Sequence, residues 1–280
     1  MIIEPGVNFA DQYSKMVMKN KTRYPSSIIK AVKRYRKWKR RKDIWFEVDR
    51  ANEMLDFVQS FVRHVKGPLA GQLMELELWE MFVFANMYAW YHKNEKGKIV
   101  RVIRESYVQV PKKNGKTIIA AGALLYAMYG EGELGADCYA AATDYEQAQN
   151  AAEPISQTIE NSEPLSRDTQ IYKGINGTIS GALYRYNIDG IAYQNKFKVL
   201  SKNTKGLEGK NPYFVLNDEL HAQENMDMYD NLKSAQVSRE QPMMLNTSTA
   251  GKGASSVGMR VYKYAKQVLD NDNDDSLERL

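Results

Sequence analysis

The sequence predicts an α/β protein with a mostly parallel sheet between helices, preceded by an α-helical N-terminal region. From residue 99 onward, short runs rich in β-branched and aromatic residues alternate with helical segments. This alternation is typical of βαβ units, in which helices cover both faces of a parallel sheet. Before residue 99, apolar residues recur at spacings of three and four, which indicates amphipathic helices. With 280 residues, the chain suits one large domain with appendages better than two full domains.

The composition excludes several classes of protein. A hydrophobic fraction of 43% and an aromatic fraction of 11% describe a folded chain rather than a disordered one. No apolar run is long enough to span a membrane, and the N-terminus lacks a signal-peptide pattern, so we expect a cytoplasmic protein with no membrane partner. The single Cys138 and three scattered histidines predict neither an internal disulfide nor a zinc site.

Residues 1–50 form a basic N-terminal segment. Thirteen lysines and arginines and no acidic residue lie between Gln12 and Lys42, although the whole chain carries a net charge of only +5. The densest part, 30–42, has a helix-compatible composition with a tyrosine and a tryptophan among the basic residues. Such a segment is typical of contact with a nucleic-acid backbone. A solvated basic helix or a partly ordered arm would have the same composition, so both interpretations stay open.

Residues 51–98 predict a helical subdomain. Apolar residues repeat at helical spacing over 51–65, and a Gly-Pro pair follows that would stop the helix. A second helix is expected over about 73–93, where a stripe of aromatic residues indicates core packing. The polar stretch 93–98 predicts a turn before the core begins.

The predicted core spans 99–270. Its segments in chain order are strand-like IVRVIRESYVQV (99–110), helical TIIAAGALLYAMYG (117–130), strand DCYAAA (137–142), a helix over about 145–161, a hairpin in LYRYNIDGIAYQNKFKVLS (183–201), strand YFVLN (213–217), a helix over about 226–238 and strand PMMLNTST (242–249). Ligands of parallel sheets bind beyond the carboxyl ends of the strands. The residues that follow the strands are therefore the candidate site residues.

The first strand end carries a phosphate-binding pattern. The predicted nucleotide-binding residues are Pro111, Lys112, Lys113, Asn114, Gly115, Lys116 and Thr117, directly before an apolar helix. Backbone N–H groups and the dipole at a helix N-terminus favour an anion. Lys116 would add charge at the terminal phosphates, and Thr117 a hydroxyl of the kind that coordinates Mg²⁺. The usual loop begins with glycine where this chain has Val110, but the ring of the following proline can fix the same turn.

Two later strand ends carry the groups that such a loop needs. Asp218 and Glu219 follow the strand 213–217, and adjacent carboxylates at this place in a P-loop ATPase hold Mg²⁺ and polarise the attacking water. The same pair would also suit a helix N-terminus, but the loop upstream favours the metal and the water. Ser248 and Thr249 end the last strand, where small hydroxyl side chains can contact the water at the γ-phosphate.

These motifs, in this order, resemble the ATPase domain of the large terminase subunit of tailed phages, the motor that packages DNA into procapsids. The resemblance covers roughly 50–270 and rests on VPKKNGKT, AATDYEQAQ, LEGKNPYFVLNDELHAQ and LNTSTAG, with FVRHVKGPLAG and LELWEMFVFANMYAW upstream. It implies a RecA-like P-loop core with an additional strand, 51–98 on the adenine side, and ATP with Mg²⁺ as cofactors.

The resemblance also implies roles and partners. Lys116 and Thr117 would bind phosphate and Mg²⁺, Asp218 would bind Mg²⁺, and Glu219 would be the catalytic carboxylate. Ser248 and Thr249 would be the coupling motif, and 143–147 the segment after the second core strand. The implied partners are double-stranded DNA bound without sequence preference, a portal, a small terminase subunit and further copies of the chain in a ring.

Three features depart from the family pattern. Glu80 follows Trp79 where family members often have a glutamine near the adenine, and Lys112 replaces a frequent arginine, so it offers a charge but no bidentate fork. Family members normally continue into an RNase H-like nuclease domain, whereas this sequence ends in the acidic stretch 271–280. We expect a solvated tail and no DNA cleavage by this chain.

Two other functions stay open at this point. Asp218, Glu219, Leu220 and His221 also form a D-E-x-H box, as in many nucleic-acid helicases, but the residues after Gly251 are too few for the second RecA-like domain that helicases need. A non-catalytic terminase remnant that binds DNA through its basic N-terminal segment would need no hydrolysis. Exchanging Glu219 for glutamine separates these hypotheses, because a motor would lose hydrolysis and keep nucleotide binding.

Overall fold

A computed structural model describes residues 2–142, 144–174, 176–201, 209–223, 225–249 and 256–271. Within these ranges the helices are α1 (Phe9–Lys19), α2 (Ser26–Trp38), α3 (Val48–Phe61), α4 (Leu78–Tyr88), α5 (Lys116–Tyr129), α6 (Tyr145–Glu160), α7 (Glu163–Ser166), α8 (Asp227–Ala235) and α9 (Val257–Asp270). The strands are β1 (Ile44–Phe46), β2 (Trp90–Lys93), β3 (Ile99–Arg101), β4 (Glu105–Gln109), β5 (Asp137–Ala142), β6 (Thr169–Lys173), β7 (Ile179–Ile188), β8 (Ile191–Ser201), β9 (Phe214–Asn217) and β10 (Met243–Ser248). Of the predicted segments, Thr143 and the acidic tail from 272 onward lie outside the described residues.

Seven strands form the central sheet in the order β4-β10-β9-β5-β8-β7-β6. Neighbours from β4 to β8 run parallel, and β7 and β6 are added antiparallel at one edge. The predicted mostly parallel sheet is confirmed, and the predicted hairpin is β7 and β8, with positive φ angles at Asp189 and Gly190 in its turn. β10 lies between the strand before the loop and the strand before the acidic pair. This is the additional strand that the RecA-like fold implies.

Apolar residues cover both faces of the parallel strands. Successive residues of a strand point to opposite faces, and Leu216 and Leu245 accordingly join one apolar cluster while Val215 and Met244 join the other. The first cluster includes residues of α5 and α6, and the second includes residues of α8 and α9. Helices on both faces fix the sheet as one rigid layer, so that its carboxyl edge is a firm support for a site.

The basic N-terminal segment is an ordered part of the protein. Val32, Tyr35 and Trp38 of α2 are buried in the same apolar cluster as residues of α4 and α5. The interpretation as a partly ordered arm is therefore wrong for this helix. Lys33 and Arg36 lie on its exposed face, three residues apart and hence on one side of the helix.

Within the described part of the chain, no helix combines the length and apolar character needed to cross a membrane.

The second predicted helix, over 73–93, is wrong at both ends. α4 spans only Leu78–Tyr88, because Glu77 and Glu80 form a capping box that starts it. After α4, Trp90–Lys93 forms β2 between β1 and β3 in a small antiparallel sheet. Tryptophan and tyrosine suit strands as well as helices, so the short run 90–93 carried no signal for the change. The predicted helix over 145–161 is confirmed as α6.

Candidate nucleotide-binding site

The three predicted strand ends lie next to one another at the carboxyl edge of the sheet. Gln109 at the end of β4 pairs with Ser248 at the end of β10, and Asn246 of β10 pairs with Asn217 at the end of β9. The N–H of Val110 also donates to the carbonyl of Ser248 over 3.3 Å. The loop 111–117, the acidic pair and the hydroxyl residues therefore meet at one place, as the sequence predicts.

The loop has the backbone shape of an anion-binding turn. Lys113 and Gly115 have φ angles of 69° and 70°, in the left-handed region. The side-chain amide of Asn114 donates to the carbonyls of Pro111 and Lys112, each over 3.3 Å, which ties the loop across its width. Left-handed residues in such a turn direct backbone N–H groups into a concave nest for an anion. Gly115 caps the N-terminus of α5, so the positive end of the helix dipole faces the same point.

Lys116 meets both predicted carboxylates. Its Nζ lies 2.9 Å from Oδ1 of Asp218 and 2.5 Å from Oε1 of Glu219. The side chains of Lys116 and Asp218 are only 7% and 4% exposed, whereas that of Glu219 is 34% exposed. A buried charge needs a partner, and the lysine and the aspartate are oppositely charged partners here, although Nζ makes no hydrogen bond of good geometry with the described residues. The loop and the acidic strand end are thus joined by an ion pair shielded from water.

Asp218 is held by two further donors. Oδ1 accepts a hydrogen bond from Oγ1 of Thr247 over 2.6 Å and one from the backbone N–H of Glu219 over 2.9 Å. Thr247 is fully buried and comes from β10, the strand between those of the loop and the acidic pair. The carboxylate is therefore fixed in orientation before any ligand arrives. Thr247 is not among the predicted site residues, since nothing in the sequence pattern shows which hydroxyl faces Asp218.

Glu219 adopts a conformation that is uncommon for a residue with a side chain. Its φ of 52° lies in the left-handed region, which costs an L-residue other than glycine about 1–2 kcal/mol. Oε2 of its carboxylate lies 3.2 Å from Nδ1 of His221, and the same Nδ1 is 3.3 Å from Oγ of Ser248. The predicted coupling residue Ser248 is thereby connected to the predicted catalytic carboxylate.

Thr249, the other predicted coupling residue, directly follows β10, which ends at Ser248. Its Oγ1 is buried and finds no hydrogen-bond partner among the described residues. A buried hydroxyl without a partner costs free energy unless a ligand or water completes it. The position at the carboxyl edge of the sheet is consistent with such a ligand.

A buried polar network lies on the opposite face of the sheet, directly behind the acidic pair. The side chain of Asn217 donates to Asn246 over 2.9 Å, and Asn246 donates to Glu105 over 2.8 Å. Glu105 also accepts from Tyr229, and from Lys233 over 2.6 Å. Burial, with the nearby Glu105 carboxylate, raises the pKa of Tyr229. The network ties β4, β9 and β10 to α8, and sequence reasoning missed it because its members are scattered over the chain.

The adenine-side residues of the sequence analysis lie beside the loop. Oε2 of Glu80 accepts from the N–H of Glu77 over 2.8 Å, and Oε1 is 3.6 Å from the point that a Cβ on Gly115 would occupy. Burial raises the pKa of Glu80. A cavity of about 720 Å³ lies between α2, α4, β4 and α9, and Trp79 and Pro111 are among its lining residues. The start of α4 therefore faces the loop, as expected.

The donor set at the site suits Mg²⁺. No cluster of three or more acidic, histidine or cysteine side chains that would enclose a metal occurs in the described part of the chain. With a nucleotide, however, Mg²⁺ usually takes one or two protein oxygens and completes its shell with phosphate and water. Asp218 at the strand end and the half-exposed Thr117 on the first turn of α5 are oxygen donors of this kind.

Comparison with known proteins identifies the family. The family model described as the terminase large subunit, ATPase domain, matches residues 78–267. The structure is similar to the large terminase of bacteriophage HK97, with a TM-score of 0.60, 20% identity, and coverage of 80% of this chain and 42% of that chain. The chain thus spans less than half of that protein, and this likeness concerns the fold.

Two further solved structures resemble the chain less closely. The Thermus phage P74-26 large terminase ATPase domain has a TM-score of 0.44 and 16% identity, and covers 57% of this chain and 63% of that one. A large terminase from a thermophilic bacteriophage, in complex with ADP, has a TM-score of 0.37 and 13% identity, over 52% and 33% of the two chains. No curated protein sequence matches.

The match to the family model covers more than half of the chain and includes the loop, the acidic pair and the end of β10. The fold agrees with it, since the additional strand lies where a RecA-like core has it. The chain belongs to the terminase large subunit ATPase domain family.

Proposed function

We propose that this protein hydrolyses ATP and uses the energy to move double-stranded DNA into a phage procapsid. The observation that carries the proposal is the contact of Lys116, at the end of the loop, with Asp218 and Glu219 at the end of β9. Hydrolysis of ATP needs a phosphate-binding cation, a metal-binding carboxylate and a carboxylate for water within a few ångströms. Family membership supports a DNA-packaging ATPase in general, and the site residues add the chemistry.

The mechanism depends on positioning and on charge. The backbone of the loop and Lys116 bind the β- and γ-phosphates, and Lys116 neutralises charge that develops on the transferred group. Thr117 and Asp218 would hold Mg²⁺, which supplies further charge neutralisation when it is bound. Glu219 orients a water molecule in line with the γ-phosphate. Lys116 leaves the two carboxylates to bind phosphate, and Asp218 keeps its orientation because Thr247 still donates to it.

The base of the nucleotide would lie at the start of α4. Trp79 and Pro111 both line the cavity between α2, α4 and α9, and Oε1 of Glu80 lies near Gly115 of the loop. An aromatic ring and a proline ring are apolar surfaces that suit a purine. Residues 51–98 would thus form the adenine side of the site, although glutamate here replaces the amide that family members often have.

DNA would contact the exposed face of α2. Lys33 and Arg36 lie there, and translocation along DNA requires contacts to phosphates rather than bases. α9 connects this helix to the site, because Lys30 of α2 forms an ion pair with Asp270 at the end of α9 while the other end of α9 packs on the turn that follows the acidic pair. A shift of that turn would therefore reach α2.

The wider assembly follows from family membership alone. A portal, a small terminase subunit and a ring of copies of this chain in the host cytoplasm are the partners that we propose. A remnant that binds DNA without hydrolysis is the alternative, and the complete set of loop, acidic pair and buried lysine argues against it. A helicase of the D-E-x-H type is disfavoured by the match to the terminase family.

ATP hydrolysis with and without double-stranded DNA tests the proposal. The wild type should hydrolyse ATP faster with DNA, whereas Lys116→Ala should lose nucleotide binding and Glu219→Gln should lose hydrolysis alone. DNA stimulation should fall steeply as salt rises, since it depends on phosphate contacts. A wild type that binds ATP with Mg²⁺ but never hydrolyses it, or whose stimulation is flat with salt, would contradict the motor.

A further inference from the structure

His221 contacts both the predicted catalytic carboxylate, Glu219, and the predicted coupling residue Ser248. It lies in a short 3-10 turn, Leu220–Ala222, directly after the acidic pair. Its Nδ1 is 3.2 Å from Oε2 of Glu219 and 3.3 Å from Oγ of Ser248. Nδ1 of the ring thus contacts both the Glu219 carboxylate, which follows β9, and the Ser248 hydroxyl at the end of β10.

The neighbours of Nδ1 of His221 favour a ring that carries a hydrogen on this nitrogen. Oγ of Ser248 donates its hydrogen to the carbonyl of Thr249 over 2.9 Å, so it presents lone pairs to the ring. The ionised carboxylate of Glu219 only accepts. A hydrogen on Nδ1 can therefore be donated to Oγ of Ser248, while Oε2 of Glu219 is buried, lies 3.2 Å from the same Nδ1 and accepts no hydrogen bond from the described residues. Neutral histidine protonated at Nδ1 and the imidazolium both satisfy this arrangement.

Glu219 needs such a partner once a nucleotide is bound. Its Oε1 contacts Lys116 and its Oε2 contacts His221. In the proposed reaction Lys116 moves to the phosphates. Of the two residues that contact the Glu219 carboxylate, only His221 then remains beside it. The left-handed backbone at Glu219, with φ of 52°, is a strained conformation that the surrounding structure must maintain.

The backbone of His221 is fixed from the other side by α9. A Cβ on Gly258, in the first turn of α9, would lie 2.7 Å from Cα and 2.9 Å from N of His221. Contacts this short are forbidden, so the helix approaches the turn as closely as it does only because residue 258 is glycine. The position from which the imidazole reaches Glu219 is therefore set by the packing of α9.

We propose that His221 is a positioning residue for ATP hydrolysis, which holds Glu219 in line with the attacking water and connects it to Ser248. This inference rests on the proposed function. The imidazole acts as a hydrogen-bond donor and transfers no proton. Asparagine can place an N–H group near the position of Nδ1, so it should replace histidine in this role, whereas it cannot replace a general acid or base.

Steady-state ATP hydrolysis tests this with His221→Ala, His221→Asn and a control, Gln170→Ala, on an exposed residue of β6 at the sheet edge far from the loop. We expect His221→Ala to lower kcat by roughly 10- to 100-fold with KM changed less than about threefold, because misplacing a reacting group costs rate rather than affinity. His221→Asn should recover kcat to within about fivefold of the wild type, and Gln170→Ala should behave as the wild type.

The melting temperature of each variant is measured in parallel, and hydrolysis is assayed below the lowest melting temperature. The kcat values of His221→Ala and His221→Asn are thereby compared between folded proteins. Asparagine that is as slow as alanine, a loss that appears in KM, or no loss in His221→Ala would each overturn the inference. If the wild type hydrolyses ATP and Glu219→Gln does not, while His221→Ala is unaffected, only this inference fails. If the wild type does not hydrolyse ATP, the proposed function fails and this inference with it.

Discussion

Exchanging Lys116 for methionine should destabilise the protein even when no nucleotide is present. In the structure the lysine is the cationic partner of Asp218, at 2.9 Å, with both side chains almost fully buried. Removing one member of a buried ion pair leaves the other charge unpaired, at a cost of about 3–5 kcal/mol. Asp218 keeps its hydrogen bonds from Thr247 and from a backbone N–H, which reduces the cost.

The contact with Glu219 adds little to this amount. That side chain is 34% exposed, and water screens an exposed pair to at most about 1 kcal/mol. We therefore expect Lys116→Met to lower the free energy of unfolding by about 2–4 kcal/mol. For a chain of this size, roughly 2 °C of melting temperature corresponds to 1 kcal/mol, so the expected decrease is about 4–8 °C.

Differential scanning calorimetry of the nucleotide-free protein measures this decrease. Lys112→Met, on an exposed loop lysine, is the matched control and should melt like the wild type. Adding Asp218→Asn to Lys116→Met should restore most of the loss, because the amide oxygen still accepts both hydrogen bonds and carries no charge. If Lys116→Met melts at the wild-type temperature, or if the double variant melts no higher than Lys116→Met, then the buried ion pair does not stabilise the protein as we expect.

Three further predictions concern single features of the site and its surroundings. Thr247→Val should raise the Mg²⁺ concentration for half-maximal hydrolysis by about 10-fold, since it removes an outer-shell donor to the metal-binding carboxylate; an unchanged Mg²⁺ titration would contradict this. Burial raises the pKa of Glu80 above its usual value of 4.5, so its stabilising protonated form is lost as pH rises, and Glu80→Gln should raise the melting temperature at neutral pH but not near about pH 4. Replacing Lys33 and Arg36 by glutamine should weaken DNA binding and flatten its salt dependence by roughly two phosphate contacts, with nucleotide-only hydrolysis unchanged; equal binding in a filter assay would remove α2 from the DNA surface.

The parts of the fold that could be predicted from the sequence are those set by local pattern. The alternation of apolar and polar residues identified most of the strands and helices from β4 onward, although α7, β6 and α9 were not predicted. Short strands before Gly115 and Asp218 placed the site at the carboxyl edge. The strand order was not visible, because pairing depends on contacts between residues far apart in the chain. β2 was missed for a related reason, since Trp90 and Tyr91 become a strand only through partners on β1 and β3.

For the candidate site, the sequence predicted which residues take part but not the contacts that orient them. Types and spacing of residues identified Lys116, Asp218 and Glu219, since each motif lies within a few residues of the chain. The contacts that orient these groups cross between elements. Thr247 donates to Asp218 from a neighbouring strand, and His221 reaches Ser248 across 27 residues, so only the three-dimensional arrangement shows them.

Single-turnover hydrolysis, together with a measurement of bound nucleotide, tests directly whether Glu219 is the carboxylate that activates water for ATP hydrolysis. Wild type and Glu219→Gln are each mixed with ATP and Mg²⁺ in the presence of double-stranded DNA, and both phosphate release and bound nucleotide are followed. We predict equal nucleotide binding by the two proteins and phosphate release by the wild type alone. Phosphate release by Glu219→Gln at the wild-type rate would contradict the assignment of this carboxylate and of the site built around it.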